Sequence, residues 1–153
     1  MKRYLILLVF SANCFASPLY SPNSILTPGA INPVATTDVI CVPGYTSGLD
    51  KNGDKVRAVS EATKRQVFIN YKIDKKSDQF EVDHLISLQL GGSNNISNLW
   101  PQSYTSEPYN AVRKDALENR LHSLVCSGKI TLREAQSEIA IDWISAYKKY
   151  FDK

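Results

Sequence analysis

The stretch Glu81–Pro101, EVDHLISLQLGGSNNISNLWP, limits what this chain can fold into more than any other part of it. Phe80 and Val82 alternate with polar neighbours, the pattern of a short strand. Gly91-Gly92 and Asn94-Asn95 follow, residue types that accept positive φ and so turn the backbone. Leu99-Trp100 then resumes an apolar, strand-like run that Pro101 is expected to stop. Asp83 and His84 therefore stand at the mouth of a hairpin-like loop that returns on Asn98.

Adjacent aspartate and histidine can divide the labour of metal-assisted hydrolysis. A carboxylate is a hard oxygen donor suited to a divalent cation. An imidazole titrates near neutrality and can take a proton from water. On an ideal strand, neighbouring side chains face opposite ways. The two converge only if the backbone turns after Asp83, which the start of a loop allows. The dipeptide alone is weak; followed by Gly-Gly and then Asn98-Leu99, it becomes specific.

With those residues in hand, DHLISLQLGGSNNISNLWP resembles the first two-thirds of the motif of HNH endonucleases. The resemblance runs from Glu81 to about Asn119. A wider run, from Cys41-Val42-Pro43-Gly44-Tyr45-Thr46 to the C-terminal helix, resembles small exported bacterial HNH-like proteins. It implies an α+β fold with a ββα-metal (HNH, or His-Me finger) core and flanking helices, mostly helical outside the motif hairpin. It implies that Asp83 binds metal, that His84 is the general base, and that Asn98 ties the loop through backbone hydrogen bonds and orients the base. The third ligand belongs on the following helix and is expected at Asn110, in YNAVRKDALENRL, with Asn119 and His122 as competing positions. The implied cofactor is Mg²⁺, with Mn²⁺ or Zn²⁺ as substitutes. The implied partner is nucleic acid, DNA ahead of RNA, hydrolysed at its phosphodiester bonds.

Departures from the family pattern are visible. No Cys-x-x-Cys pairs flank the motif, so a structural zinc is not expected. Gln102–Tyr109 forms a longer Ser/Thr/Pro-containing connection in place of the family's usual cluster behind the second strand. The alternative function is a non-catalytic ββα module that binds nucleic acid or a protein partner in the cell envelope.

The N-terminus reads as a secretory signal peptide over residues 1–16: Lys2 and Arg3, an apolar core from Tyr4 to Phe10, and Ala16 before the cut. Asn13 ahead of Cys14 does not suit a lipid anchor. The expected location is periplasmic or secreted, with no membrane span after cleavage and no oligomeric state fixed by the sequence. The formal charge of +3 then loses Lys2 and Arg3, leaving 16 basic against 15 acidic residues. Charge alone does not argue for a polyanionic partner. Of three cysteines, Cys41 and Cys126 remain, and an even pair in an oxidising compartment predicts one disulfide. The alternative is two buried free thiols.

Residues 17–40, rich in Pro, Asn, Ser and Thr, predict an extended arm over a single domain at 41–153. Asp50, Asn52 and Asp54 resemble a calcium loop, but Lys55 stands where that loop requires glycine. Ser60 predicts the cap of a helix over 61–71 burying Ala62, Val67 and Tyr71. Asp74–Asp78 reads as a charged turn. A second helix is expected over 110–125, burying Leu117, Leu121 and Leu124 and ended by Gly128. Lys114 is the expected phosphate contact on it, followed by Arg113 and Arg120. Thr131 and Glu134 form a capping box that opens a third helix to about Tyr150. Its stripe of Leu132, Ala135, Ile139, Trp143 and Tyr147 is expected to pack on the motif helix.

Overall fold

A computed structural model of the chain describes residues 20–73 and 79–152. The signal-peptide segment, the first residues of the arm and the charged turn at 74–78 lie outside the described residues. The fold is α+β. In chain order it comprises helix α1 (Thr37–Ile40), helix α2 (Glu61–Asn70), strand β1 (Phe80–His84), strand β2 (Leu99–Ser103), helix α3 (Ala111–Cys126) and helix α4 (Leu132–Phe151). No helix among the described residues is long and apolar enough to cross a membrane.

β1 and β2 form a two-stranded antiparallel sheet in which Asp83 lies opposite Trp100 and His84 opposite Leu99. β2 continues through Pro101, which pairs with Val82, so the proline does not stop the strand as its position in the sequence suggests. Each strand of a two-stranded sheet is an edge, and an edge tolerates a residue without an N–H where that N–H would face away from the partner. The connecting loop turns at Gly91, whose φ is +74°, and closes at Gly92. A Cβ on Gly92 would run into the carbonyl of Ile86, so the close approach admits glycine alone.

α3 and α4 pack along Leu117, Leu121, Ala135, Ile139, Trp143 and Tyr147, all buried. The Gly128 turn ends α3, with the Lys129 amide bonded to the Leu124 carbonyl at 2.9 Å. Thr131 and Glu134 form the expected reciprocal cap. α4 is not one straight helix. Asp142 has φ −160° and ψ 92°, and its carboxylate accepts from the amides of Ile144 and Ser145, recapping the chain as a second helical segment.

Ser60 caps α2 as expected, accepting from the Thr63 amide at 3.1 Å. Its buried residues are Val67 and Phe68, however, and Ala62 is exposed. The arm threads back over the core. The Thr27 hydroxyl donates to the Leu99 carbonyl at 2.8 Å, and the Trp143 indole donates to the Tyr20 carbonyl at 2.8 Å. Cys41, just after α1, is joined by a disulfide to Cys126 at the end of α3.

Candidate functional site

The end of β1 and the face of α3 above it enclose a cleft of about 270 Å³. Glu81, Asp83 and His84 line it from the strand, Asp115 and Glu118 from α3, and Arg57 from the loop before α2. Asp83 and His84 both line this cleft, and both lie within β1, in register with Trp100 and Leu99, so the backbone does not turn between them.

His84 is 6% exposed, yet it is not an apolar core histidine, because its Nε2 lies 3.0 Å from Asn94 Oδ1. Asn94 Nδ2 donates to the Val56 carbonyl at 2.9 Å, which fixes its Oδ1 toward the ring. An amide oxygen only accepts, so the His84 proton sits on Nε2 and Nδ1 keeps its lone pair. Burial lowers the His84 pKa below its ordinary value, and the Asn94 contact and the Asp83 charge only partly offset this. The ring is therefore held neutral, in the form that takes a proton.

Asn98 is completely buried. Its Oδ1 accepts from the Ile86 amide at 2.9 Å, and its Nδ2 donates to the carbonyls of Ile86 (3.0 Å) and Ser93 (2.9 Å). It thus stitches both sides of the loop, while direct contact with the imidazole falls to Asn94, a residue that the sequence marks only as turn chemistry.

Lys114 does not face outward toward a phosphate. Its side chain is fully buried, and its ammonium donates to Asp83 Oδ2 (2.6 Å), the His84 carbonyl (2.7 Å) and Glu118 Oε1. An ammonium has three protons, and all three are used. Burial alone would lower the Lys114 pKa, but the Asp83 and Glu118 carboxylates outweigh it and raise it, so the charge stays. Burial pushes the Glu118 carboxyl up to about 7, with Lys114 opposing and Asp83 adding to the rise. Burial and the Asp83 charge also raise Asp115, and burial raises Glu81 against a 2.6 Å hydrogen bond from the Tyr104 hydroxyl. The cleft thus holds more negative charge than its own residues neutralise.

The other sequence candidates lie elsewhere. Asn110 caps α3: its Oδ1 accepts from the Arg113 amide and its Nδ2 donates to Glu107, so both ends of the amide serve the helix start. It does not line the cleft; Asp115 and Glu118 do. Asn119 accepts from Gln89 at 2.9 Å. His122 Nε2 lies 3.1 Å from the Ile40 carbonyl and 3.5 Å from Cys126 Sγ. The ligand atoms of Cys41, His122 and Cys126 fall within 4.8 Å of one another, but the two sulfurs are bonded together. Arg113 donates to the Tyr147 hydroxyl at 2.7 Å and is committed to α4. Arg120 is exposed and does not line the cleft.

Glu81, Asp115, Glu118 and Arg57 of the cleft, and Asn94 against the imidazole, are the site residues that the sequence reading misses. One signal was available, for Glu118. Lys114 and Glu118 fall on the i, i+3, i+4, i+7 stripe of Leu117 and Leu121, and charges on a buried stripe announce an internal ion pair.

No family model matches the chain, and comparisons with curated proteins and with solved structures likewise give no match.

Proposed function

We propose that the protein is an exported, metal-dependent endonuclease with an HNH-like ββα core formed by β1, β2 and α3. The observation that carries this reading is the shared cleft. Asp83 and His84, consecutive at the end of β1, meet Asp115 and Glu118 of α3 there, with the imidazole held neutral and Nδ1 unprotonated.

Carboxylate oxygens are the donors a hard divalent cation takes, although the one group of three His, Cys, Asp or Glu ligand atoms within 4.8 Å of one another among the described residues is Cys41, His122 and Cys126, not the cleft carboxylates. The cleft's oxygens are those of Glu81, Asp83, Asp115 and Glu118, and burial is the largest cause raising the pKa values of Glu81, Asp115 and Glu118. Asp83 with Asp115 or Glu118 would hold the cation, in place of the Asp83 and Asn110 pair drawn from the motif. When bound, Mg²⁺ supplies charge stabilisation to the phosphate and the leaving oxygen.

The chain's own residues do the rest. His84 Nδ1 accepts a proton from water as the water oxygen bonds to phosphorus. The bond from phosphorus to the 3′ oxygen breaks, and that oxygen leaves as a hydroxyl after taking a proton from solvent. The products are a 5′ phosphate and a 3′ hydroxyl. Asn94 keeps the ring in the productive tautomer, and Lys114 fixes Asp83 by holding Oδ2.

The test is cleavage of supercoiled plasmid and of RNA by the purified protein in Mg²⁺, with and without chelator. Chelator-sensitive nicking supports the reading. Binding without cutting would instead assign the non-catalytic module.

A further inference from the structure

We infer that Arg57 grips the phosphate undergoing attack and is a catalytic residue of this cleft. The inference rests on the nuclease reading and names the group that this reading otherwise lacks.

A phosphodiester is an anion, and the cleft that must admit it is lined by Glu81, Asp83, Asp115 and Glu118. One divalent cation offsets two of those charges. Lys114 is spent behind Asp83 and cannot turn outward without leaving the buried Glu118 and half-buried Asp83 carboxylates without their ammonium. Arg113 is bonded to Tyr147 on α4. Among the described residues lining the cleft, Arg57 is the one cation. It is exposed, and its guanidinium makes no hydrogen bond or ion pair with another described residue.

The backbone that carries Arg57 is not a loose loop. On one side, the Val56 carbonyl accepts from Asn94 Nδ2 at 2.9 Å; on the other, the Ala58 amide donates to Asn94 Oδ1 at 3.5 Å. The same Oδ1 accepts from His84 Nε2 at 3.0 Å. The Val56 side chain is buried, and its amide is bonded to the Gly48 carbonyl at 3.1 Å. One asparagine side chain therefore clamps the residues on both sides of Arg57 and the base itself. The backbone that carries Arg57 and the imidazole are held in one frame, and the guanidinium has no hydrogen-bond or ion-pair partner among the described residues.

The charge of Arg57 is felt at the site. It adds to burial in lowering the His84 pKa, and it works against burial and Asp83 at Asp115. A guanidinium presents paired N–H donors that match two oxygens of a phosphate, which an ammonium cannot do. Placed beside the base, such a fork holds the phosphate for in-line attack and meets the charge that grows on its oxygens.

The experiment compares wild type with Arg57→Ala, Arg57→Gln and Arg57→Lys in Mg²⁺-dependent plasmid nicking. It also compares His84→Ala with His84→Ala/Arg57→Ala in binding to an oligonucleotide over a salt series. Because Arg57 is exposed, the variants should keep the wild-type circular dichroism and melting temperature. The expected result is a loss of about 10²-fold in kcat for Arg57→Ala and Arg57→Gln. Arg57→Lys should recover only part of it, and the salt dependence of binding should fall by about one counterion in the double variant. Unchanged cutting together with an unchanged salt slope overturns the role of Arg57 while the nuclease reading stands. A wild-type protein that neither cuts nor binds polynucleotide overturns both.

Discussion

At the residue scale, the buried Lys114 ammonium decides how the site is organised. It joins α3 to the end of β1 through Asp83, the His84 carbonyl and Glu118. Replacing it by Met would leave the buried Glu118 and half-buried Asp83 carboxylates with no ammonium between them, at a cost of about 3–5 kcal/mol. Lys114→Met should therefore lower the unfolding free energy read from urea titration by that amount, and a value within error of wild type would refute the pairing. Asp83 and His84 could be recognised in the chain because their chemistry is local, two consecutive residues beside a glycine turn. Asn94 could not, because what distinguishes it from Asn95 is the neighbour it meets across the fold. Arg57 lies in a polar loop far from the motif, and nothing in the sequence brings it to His84. Asn110 opens α3 as anticipated, but the rotation of the helix, set by Leu117 and Leu121 facing α4, turns Lys114 and Glu118 inward and Asp115 to the cleft.

At the scale of the element, caps and turns were readable and interruptions were not. Ser60, Thr131 with Glu134, and Gly128 carry their signals in one or two side chains and behave as those signals predict. Pro101 and Asp142 do not. A proline ordinarily ends a strand, yet Pro101 sits inside an edge strand. Asp142 lies in a stretch of unbroken apolar periodicity, yet it recaps the chain. Asp142→Ala should remove this cap and cost about 1 kcal/mol. Burial alone would raise the Asp142 pKa, but hydrogen bonds from Ser145 and from the Ser145 and Ile144 amides hold it below its ordinary 3.8. A depressed carboxyl stabilises the folded form above its unfolded pKa and loses that contribution as pH falls through the folded value. The gap between wild type and Asp142→Ala should thus be full at neutral pH and narrow below about pH 4 in melting experiments. A gap that widens in acid would contradict the cap.

At the scale of the whole molecule, the chain holds its site by tying distant segments to α3 and α4. The arm is bonded to β2 and to Trp143, and the disulfide links residues 85 apart, fastening α1 to the far end of the helix that carries Asp115 and Glu118. Closing so long a loop stabilises the fold by about 4–5 kcal/mol in the chain-entropy picture. A Cys41→Ser/Cys126→Ser protein should unfold at correspondingly lower urea, and an unshifted midpoint would show that the link does not bear on stability. The pairing of these cysteines was readable from their even number once Cys14 is assigned to the signal peptide; the α+β class was what the resemblance of the motif stretch implied. The placement of the cleft was not readable, because it depends on three segments meeting.

The central claim is that His84 draws a proton from water beside a carboxylate-held cation. Its most direct test is plasmid nicking in Mg²⁺ by wild type and by His84→Ala, with circular dichroism confirming that both are folded. The predicted result is chelator-sensitive cutting by wild type and none by the variant. Equal cutting by the two proteins would contradict it.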